Sequence, residues 1–332
     1  MQIVITTIFP PTPGAAAIAK SLEERGGILW VIGDRSGPRD YQLPATRFYD
    51  IARQSELAFS LAKSLPERHY ARKNLGYLLA AQSGASFLVE TDDDNLPLPG
   101  FWEPRSPILS GRRAQAQGWL NVYALFSSSR IWPRGFPLEC VEAPLPETGT
   151  NSESRECLIQ QGLANKNPDV DAVYRFIMPL PIDFADGPSV LLDSGCWCPF
   201  NSQNTTWFKP AFPLLYLPSH CTFRMTDIWR SFVAQRCLWE MDSCLGFTRA
   251  TIYQERNEHN LLRDFQQEIP GYLNNDAIRQ TLEGLPLQQG RECHTVCANV
   301  RQCYQALVAK GFIPAPELGL LELWIRDVSA LV

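Results

Sequence analysis

The sequence predicts an α/β protein, with a Rossmann-like, mostly parallel central sheet flanked by helices and a helical C-terminal extension. Two observations predict this class. Short apolar runs alternate with amphipathic segments through the first hundred residues, a pattern typical of parallel strands covered by helices. From about residue 255 onward, apolar residues recur at helical spacing.

The first strands and helices have clear boundaries. Residues 3–8 are apolar and end at a proline-rich turn. Residues 14–25 are rich in alanine and stop at two glycines, as helices commonly do. Residues 28–32 form a second apolar run. Residues 72–83 place leucines on one helical face, and residues 87–89 form a strand that leads into three aspartates.

The remaining segments are less regular. Between residues 100 and 225, prolines and aromatic residues separate short apolar runs, which predicts irregular strands and loops that wall a pocket. Residues 226–241 have helical spacing, and Thr226 can cap that helix. The C-terminal helical pattern is predicted to break at Pro270-Gly271 and again at residues 284–286.

Composition excludes several classes of protein. The 332 residues are 45% hydrophobic with a net charge of −5, and no basic run suggests a nucleic-acid partner. No apolar stretch approaches the roughly 18 residues of a membrane span. We therefore expect a soluble, cytoplasmic chain. The ten cysteines lack the paired spacing of a zinc site and are expected to be buried thiols.

The acidic cluster after the residue 87–89 strand is the strongest functional signal. Glu90 is followed closely by Asp92, Asp93 and Asp94. Adjacent carboxylates repel, and an unpaired buried carboxylate is costly, so the cluster requires a counter-charge. Mg²⁺ or Mn²⁺ holding a phosphorylated ligand would supply it, because these cations prefer carboxylate oxygen and leave positions open for phosphate. The alternative is a solvated acidic loop.

Other polar residues stand at the ends of the first two strands. Thr6 and Thr7 end the first, and Gly33, Asp34 and Arg35 follow the second. Because the carboxyl ends of parallel strands meet at one sheet edge, these residues should converge with the aspartates. Gly33 permits close approach of a flat ligand, and Asp34 can accept from a base or ribose. We predict a nucleotide site here.

Two cations open the helix that feeds the acidic strand. Arg72 and Lys73 at a helix N-terminus are suited to bind a diphosphate, and the alternative is a solvated first turn. Neither a P-loop nor a Gly-x-Gly-x-x-Gly motif is present. A nucleotide, a diphosphate and a metal together suit transfer of a sugar from a nucleotide donor. Asp227 is the candidate base, although an acidic residue in a helix's first turn also favours the helix dipole.

Several blocks of the sequence resemble the STELLO glycosyltransferases and, more distantly, the reversibly glycosylated polypeptides that include the UDP-arabinopyranose mutases. The resemblance covers about residues 1–275 in order. The blocks that carry it are WVIGDRSGPRD (30–40), ARKNLGYLLAAQSGASFLVETDDDN (71–95), WPRGFPL (132–138), QGLANKNPDVDAVYRF (161–176), residues 199–206 and residues 226–239.

The resemblance implies a GT-A-like nucleotide-diphospho-sugar transferase fold and a DXD-type metal motif. Asp92 and Asp94 would then bind Mn²⁺ or Mg²⁺, and Asp93 would face the sugar or acceptor. The resemblance also makes Arg134 a candidate for covalent attachment of the sugar, because the mutases can carry the sugar on the arginine of a similar block. A phosphate-binding or structural role for Arg134 is the alternative.

Three further residues of the shared blocks are candidates for the sugar or acceptor site: Asp169, Asp171 and Asn201. For the two aspartates, the alternative is that they only fix a loop. The expected organisation is a catalytic domain over residues 1–255, with a nucleotide-binding half (1–100) and a sugar and acceptor half (101–255). A helical extension (256–332) packs on it, and residues from 276 onward show no usable resemblance.

The plant STELLO proteins are longer and membrane-anchored, so a Golgi location is not carried over to this chain. Three functions follow as expectations. The first is a metal-dependent glycosyltransferase with a nucleotide-sugar donor, most simply a UDP-sugar, and an acceptor that the sequence does not name. The second is a UDP-sugar mutase that uses Arg134. The third is an idle GT-A-like scaffold that binds a nucleotide or a partner protein.

Overall fold

The computed structural model describes residues 1–145, 152–255 and 260–332. Its strands are β1 (Gln2–Thr7), β2 (Ile28–Gly33), β3 (Thr46–Tyr49), β4 (Phe87–Thr91), β5 (Asn95–Pro97), β6 (Ile108–Ala114), β7 (Gly118–Trp119), β8 (Ser152–Glu156), β9 (Ile159–Asn165), β10 (Ser189–Leu192), β11 (Cys196–Trp197), β12 (Asn204–Phe208) and β13 (Leu245–Gln254). Its α-helices are α1 (Pro13–Arg25), α2 (Ile51–Ser55), α3 (Lys73–Gln82), α4 (Ala172–Ile177), α5 (Thr226–Glu240), α6 (Leu261–Glu283), α7 (Cys293–Ala309) and α8 (Glu317–Ser329).

One large mixed sheet organises the described residues, in the order β3-β2-β1-β4-β12-β9-β13-β10-β6-β8, with β5 paired to β13. The first four strands of this order are mutually parallel. β12 then runs antiparallel between β4 and β9, and the remaining strands mix both directions. Helices flank the sheet, so the predicted α/β class is confirmed.

The parallel half is held by the alternation of side chains along its strands. Ile3 and Ile5 of β1 share a buried cluster with Ile18 of α1, whereas Val4 shares another with Leu75 of α3. Successive strand residues point to opposite faces, so β1 is covered on both sides by apolar helices. This packing fixes where the carboxyl ends of β1, β2 and β4 lie.

The middle of the chain is more regular than predicted. Strands β9 and β12 lie inside the sheet, directly beside β4. The prediction of irregular strands and loops that wall a pocket holds for much of this segment but missed β9 and β12, because these strands carry polar side chains that form hydrogen bonds in the core. The Thr205 hydroxyl donates to Gln161 Oε1 at 3.0 Å, and Asn204 Nδ2 donates to Thr251 Oγ1 at 2.8 Å. Such strands lack an apolar signal.

The C-terminal helices also differ from the prediction in two details. Helix α6 runs through Pro270 without ending, and the predicted break occurs at Gly284 alone. Asn274 Nδ2 donates to the Pro270 carbonyl at 2.8 Å, which occupies a backbone acceptor at the proline. Thr226 does not cap α5, because its hydroxyl donates to the Thr222 carbonyl at 3.3 Å.

A buried ion pair ties the acidic strand β4 to α5. Both Arg230 Nη atoms donate to the Glu90 carboxylate, at 2.9 and 2.8 Å, and both side chains are almost fully buried. Trp207 Nε1 donates to the same carboxylate at 2.7 Å. Glu90 therefore has its counter-charge within the protein and is not part of the solvent-facing cluster.

Replacing Glu90 with glutamine is expected to lower the free energy of unfolding by about 3–5 kcal/mol, because Arg230 would remain as a buried charge without a partner. Urea unfolding followed by tryptophan fluorescence measures this loss. A matched control is Glu322→Gln, which breaks the exposed Arg301–Glu322 pair and should cost less than about 1 kcal/mol. Equal losses for the two variants would contradict the role given to Glu90.

Candidate active site

The carboxyl ends of β1, β2 and β4 open into a cleft with a cavity of about 730 Å³. This volume lies in the range of small-molecule sites. Eleven of the predicted site residues line it: Thr6, Thr7, Gly33, Asp34, Arg72, Asp92, Asp93, Asp94, Arg134, Asp169 and Asp227. The convergence that the parallel strands predicted is therefore present.

The three aspartates make separate contacts. Asp92 Oδ1 accepts from the Tyr70 hydroxyl at 3.1 Å and lies 3.5 Å from Lys73 Nζ. Asp93 accepts from the Thr7 hydroxyl, which ties it to β1. Asp94 Oδ2 accepts from Gln254 Nε2 at 2.9 Å. The pKa of Asp92 is raised to about 6, because burial and the neighbouring Asp94 raise it by more than Lys73 lowers it.

Arg72 and Lys73 are both buried, so the alternative of a solvated first turn does not hold. Lys73 does not offer its charge to a ligand: its Nζ donates to the Thr91 carbonyl at 2.7 Å and to the Tyr70 hydroxyl at 2.8 Å. It is an internal counter-charge to Asp92. Arg72 Nε donates to Gln54 Oε1 at 2.6 Å, but Arg72 makes no ion pair within the described residues. Arg72 thus stays a candidate for binding an anion.

The residues after β2 shape the cleft more than they were predicted to. Asp34 accepts from the backbone N–H groups of Arg68 and His69 at 2.8 and 2.9 Å, which fixes the loop before α3. Arg35 turns away to pair with Glu67 and does not line the cleft. A Cβ on Gly33 would lie 2.9 Å from the ring of Phe48, so this glycine is also required for packing against β3.

Arg134 lies between two carboxylates at the floor of the cleft. Its Nε and Nη2 donate to Asp169 at 2.8 and 2.7 Å. Its Nη1 and Nη2 donate to Asp227 at 3.0 and 2.9 Å, and Nη1 also donates to the Arg224 carbonyl. All five N–H groups of the guanidinium are therefore engaged.

We call Arg134 with Asp169 and Asp227 the Arg134 clamp. The contacts within it determine the charge of Arg134 and Asp227. Burial alone would raise the pKa of Asp227, but Arg134 holds it well below its usual range. Burial would likewise lower the pKa of Arg134, whereas Asp169 and Asp227 hold it well above its usual range. A carboxylate with a lowered pKa is a weak proton acceptor, which argues against Asp227 as the base. A guanidinium with no free N–H is poorly placed to carry a sugar.

Two of the predicted sugar or acceptor residues lie outside the cleft lining. Asp171 caps α4 by accepting from Tyr174 N at 2.7 Å, and it accepts from Trp132 Nε1 at 2.6 Å. The Asn201 N–H donates to Gln161 Oε1 at 2.9 Å. Both residues fix loops behind the cleft, which was the alternative for Asp171.

Sequence reasoning missed the residues that connect the two halves of the cleft. The Tyr70 hydroxyl lies 2.6 Å from Ser202 Oγ, and Ser202 Oγ donates to Asp227 Oδ2 at 3.1 Å. A series of close polar contacts thus runs from Asp92 to Arg134, in which the two hydroxyl protons can serve two of the three contacts made by Tyr70 and Ser202. Ser202 belongs to the shared block 199–206, which offered a signal, whereas nothing in the spacing singled out Tyr70. Further cleft residues that were missed are Arg68, His69, Arg175, Gln203, Phe223, Arg224 and Gln254.

Residues 224–332 match the family model described as STELLO glycosyltransferases. This segment of the chain is similar to the STELLO glycosyltransferases. The match includes residues 276–332, so the expectation that this segment shows no usable resemblance was wrong. The resemblance drawn from the sequence blocks is confirmed.

Two proteins of Arabidopsis thaliana are STELLO relatives of this chain. "Probable glycosyltransferase STELLO1" is 28% identical over 99% of this chain and 44% of its own length. "Probable glycosyltransferase STELLO2" is 30% identical over 76% of this chain and 35% of its own length. The chain thus spans less than half the length of either relative.

Solved structures give weaker likenesses. The glucosyl-3-phosphoglycerate synthase of Mycobacterium tuberculosis, in complex with phosphoglyceric acid, is similar with a TM-score of 0.43 and 11% identity, over 82% of this chain and 78% of its own. A mycobacterial protein is similar with a TM-score of 0.41 and 11% identity, over 94% of this chain and 75% of its own.

The described residues contain no group of three or more His, Cys, Asp or Glu side chains placed to hold a metal ion. Asp92 and Asp94 offer two neighbouring carboxylates that face the cleft. This set fits Mg²⁺ or Mn²⁺, which commonly takes one or two protein carboxylates and completes its shell with substrate phosphate and water. It does not fit a cage made of protein ligands alone.

Among the residues that the structure describes, no helix combines the length and the apolar composition that a membrane span requires.

Proposed function

We propose that this chain is a glycosyltransferase that takes a sugar from a nucleotide-diphosphate donor, a UDP-sugar, and passes it to a hydroxyl acceptor. The observation that carries the proposal is the meeting of Asp92 and Asp94 with Thr6, Thr7 and Gly33 in one cleft. The STELLO relationship supports the transferase class. A mutase or an idle scaffold would contain the same cleft.

In this proposal Asp92 and Asp94 would hold Mn²⁺ or Mg²⁺, which would supply positive charge to the leaving diphosphate. The structure supplies further positive charge nearby. Arg68 and Arg72 line the same cleft and make no ion pair with any residue that the structure describes. Arginine matches phosphate oxygens with paired N–H groups, so both are suited to the donor's phosphates.

In the transfer, the bond from the anomeric carbon to the diphosphate oxygen breaks, and a bond to the acceptor oxygen forms. The acceptor hydroxyl must also lose its proton. In this proposal Asp169 and Asp227 are the carboxylates of the acceptor side. Both accept hydrogen bonds from Arg134, so neither is placed to take the proton. We therefore propose that the departing diphosphate oxygen takes the proton, on the same face of the sugar, which retains the anomeric configuration.

The mutase is less well supported, because it requires a free nucleophile at Arg134. All five N–H groups of that side chain are engaged, and two carboxylates keep it protonated. A protonated guanidinium has no available electron pair with which to attack the anomeric carbon. The transferase requires no such attack.

Calorimetric titration of UDP in the presence and absence of Mn²⁺ tests the proposal. We expect the affinity for UDP to rise at least about tenfold with Mn²⁺, because a cation held by Asp92 and Asp94 would supply positive charge to the diphosphate. UMP is the matched control, since without a β-phosphate it should gain much less. Absence of binding by any nucleoside diphosphate in the presence of Mn²⁺ would contradict the proposal.

A further inference from the structure

One arginine of the cleft, Arg175, makes no ion pair with the residues that the structure describes. Arg175 lies on α4 and lines the cavity. It is half-buried, and its side chain makes a single hydrogen bond, from Nη2 to the Pro168 carbonyl at 3.3 Å. It has no carboxylate within ion-pair distance among the described residues. Burial lowers the pKa of Arg175, and the neighbouring Arg224 lowers it further.

The other cations on this side of the cleft are paired. Arg134 lies between Asp169 and Asp227. Arg224 pairs with Glu268 at 2.8 Å and lies 3.9 Å from Asp169. Withdrawing a cation from water and placing it beside another cation is unfavourable unless an anion completes the site. Arg175 therefore has the environment of a residue that awaits an anionic ligand.

The surroundings of Arg175 distinguish it from the arginines of the donor side. The charged groups that most affect the pKa of Arg175 are Arg224, Asp169, Asp264 and Glu268. None of these is one of the three aspartates at residues 92–94. Arg72, in contrast, is influenced by Asp34 and Glu67, near the end of β2. The charged neighbours of Arg175 are thus different from those of Arg72.

We propose that Arg175 binds a carboxylate or phosphate group of the acceptor, so that the acceptor is an anionic hydroxyl compound. This inference rests on the proposed function for its assignment of the acceptor side. Arginine binds either oxyanion through two parallel N–H groups, which would also orient the acceptor's hydroxyl. Because α4 follows directly after the loop that carries Asp169, the anion and the Arg134 clamp would be held in a fixed relation.

Sulfate serves as the probe of this oxyanion site. Sodium sulfate is titrated into the full chain by calorimetry at constant ionic strength, once without UDP and once with saturating UDP and Mn²⁺. We expect sulfate to bind in both arms, and Arg175→Met to weaken that binding by about tenfold or more. Arg263→Met, at an exposed arginine of α6 outside the cleft, is the matched control and should bind sulfate like the unmodified chain. Arg175→Lys should keep part of the affinity.

Two results would overturn the inference. One is sulfate binding that Arg175→Met leaves unchanged in the absence of UDP. The other is displacement by UDP with Mn²⁺ of the sulfate binding that Arg175→Met removes, since that anion would then belong to the donor's diphosphate. Failure of the proposed function would show separately, as absence of UDP binding, because the difference between the unmodified chain and Arg175→Met is measured without UDP.

Discussion

Replacing Asp92 and Asp94 together with asparagine should abolish the part of UDP binding that depends on Mn²⁺. We expect the gain in affinity on adding Mn²⁺ to fall by about a hundredfold or more, because a cation between carboxylates and diphosphate is worth several kcal/mol. Calorimetry of UDP binding with and without Mn²⁺ measures this gain directly. Sugar transfer should be lost with it.

The matched control for this double variant is Asp193→Asn. Asp193 is also a partly buried aspartate that pairs with an arginine, Arg113, but it does not line the cleft. Its replacement should leave the Mn²⁺-dependent gain unchanged. Thermal unfolding separates a lost metal site from a lost fold, since amides can keep the hydrogen bonds from Tyr70 and Gln254. A double variant that retained its Mn²⁺-dependent gain would rule out both aspartates as ligands.

The part of the cleft at the strand ends could be predicted from the sequence because one geometric rule governs it. Parallel strands bring their carboxyl ends to the same sheet edge, so Thr7, Gly33 and Asp92 had to converge once β1, β2 and β4 were recognised. This rule does not predict the direction in which a side chain points. Lys73 stands at the start of α3 as predicted, yet its Nζ reaches the Thr91 carbonyl and contributes no charge to a ligand.

The part of the cleft around Arg134 could not be assembled from the sequence. Arg134 lies 35 residues from Asp169 and 93 from Asp227, and the three residues come from separate loops and a helix start. No periodicity relates such positions, so the resemblance singled them out without showing that they touch. Their contact changes their roles: Asp227, expected to act as a base, is held ionised by Arg134. Strands β9 and β12, between residues 100 and 225, were not predicted because they bury polar side chains.

Replacing Arg134 with methionine should stop sugar transfer and lower the free energy of unfolding by about 3–5 kcal/mol. The reason is electrostatic: Asp169 and Asp227 would remain buried and close together without the cation that both contact. Arg134→Lys keeps the charge but cannot contact both carboxylates with paired N–H groups, so it should recover only part of the stability. Urea unfolding and a transfer assay with a UDP-sugar measure the two effects.

A compensating variant distinguishes the clamp from other roles of Arg134. Adding Asp227→Asn to Arg134→Met removes one of the two opposed carboxylates, so the double variant should be more stable than Arg134→Met alone while remaining inactive. If Arg134 instead carried the sugar, intact mass measurement after incubation with UDP-arabinopyranose would show one added pentose, which Arg134→Lys would lack. The paired geometry predicts no added mass, because a guanidinium held protonated by Asp169 and Asp227 has no electron pair to offer.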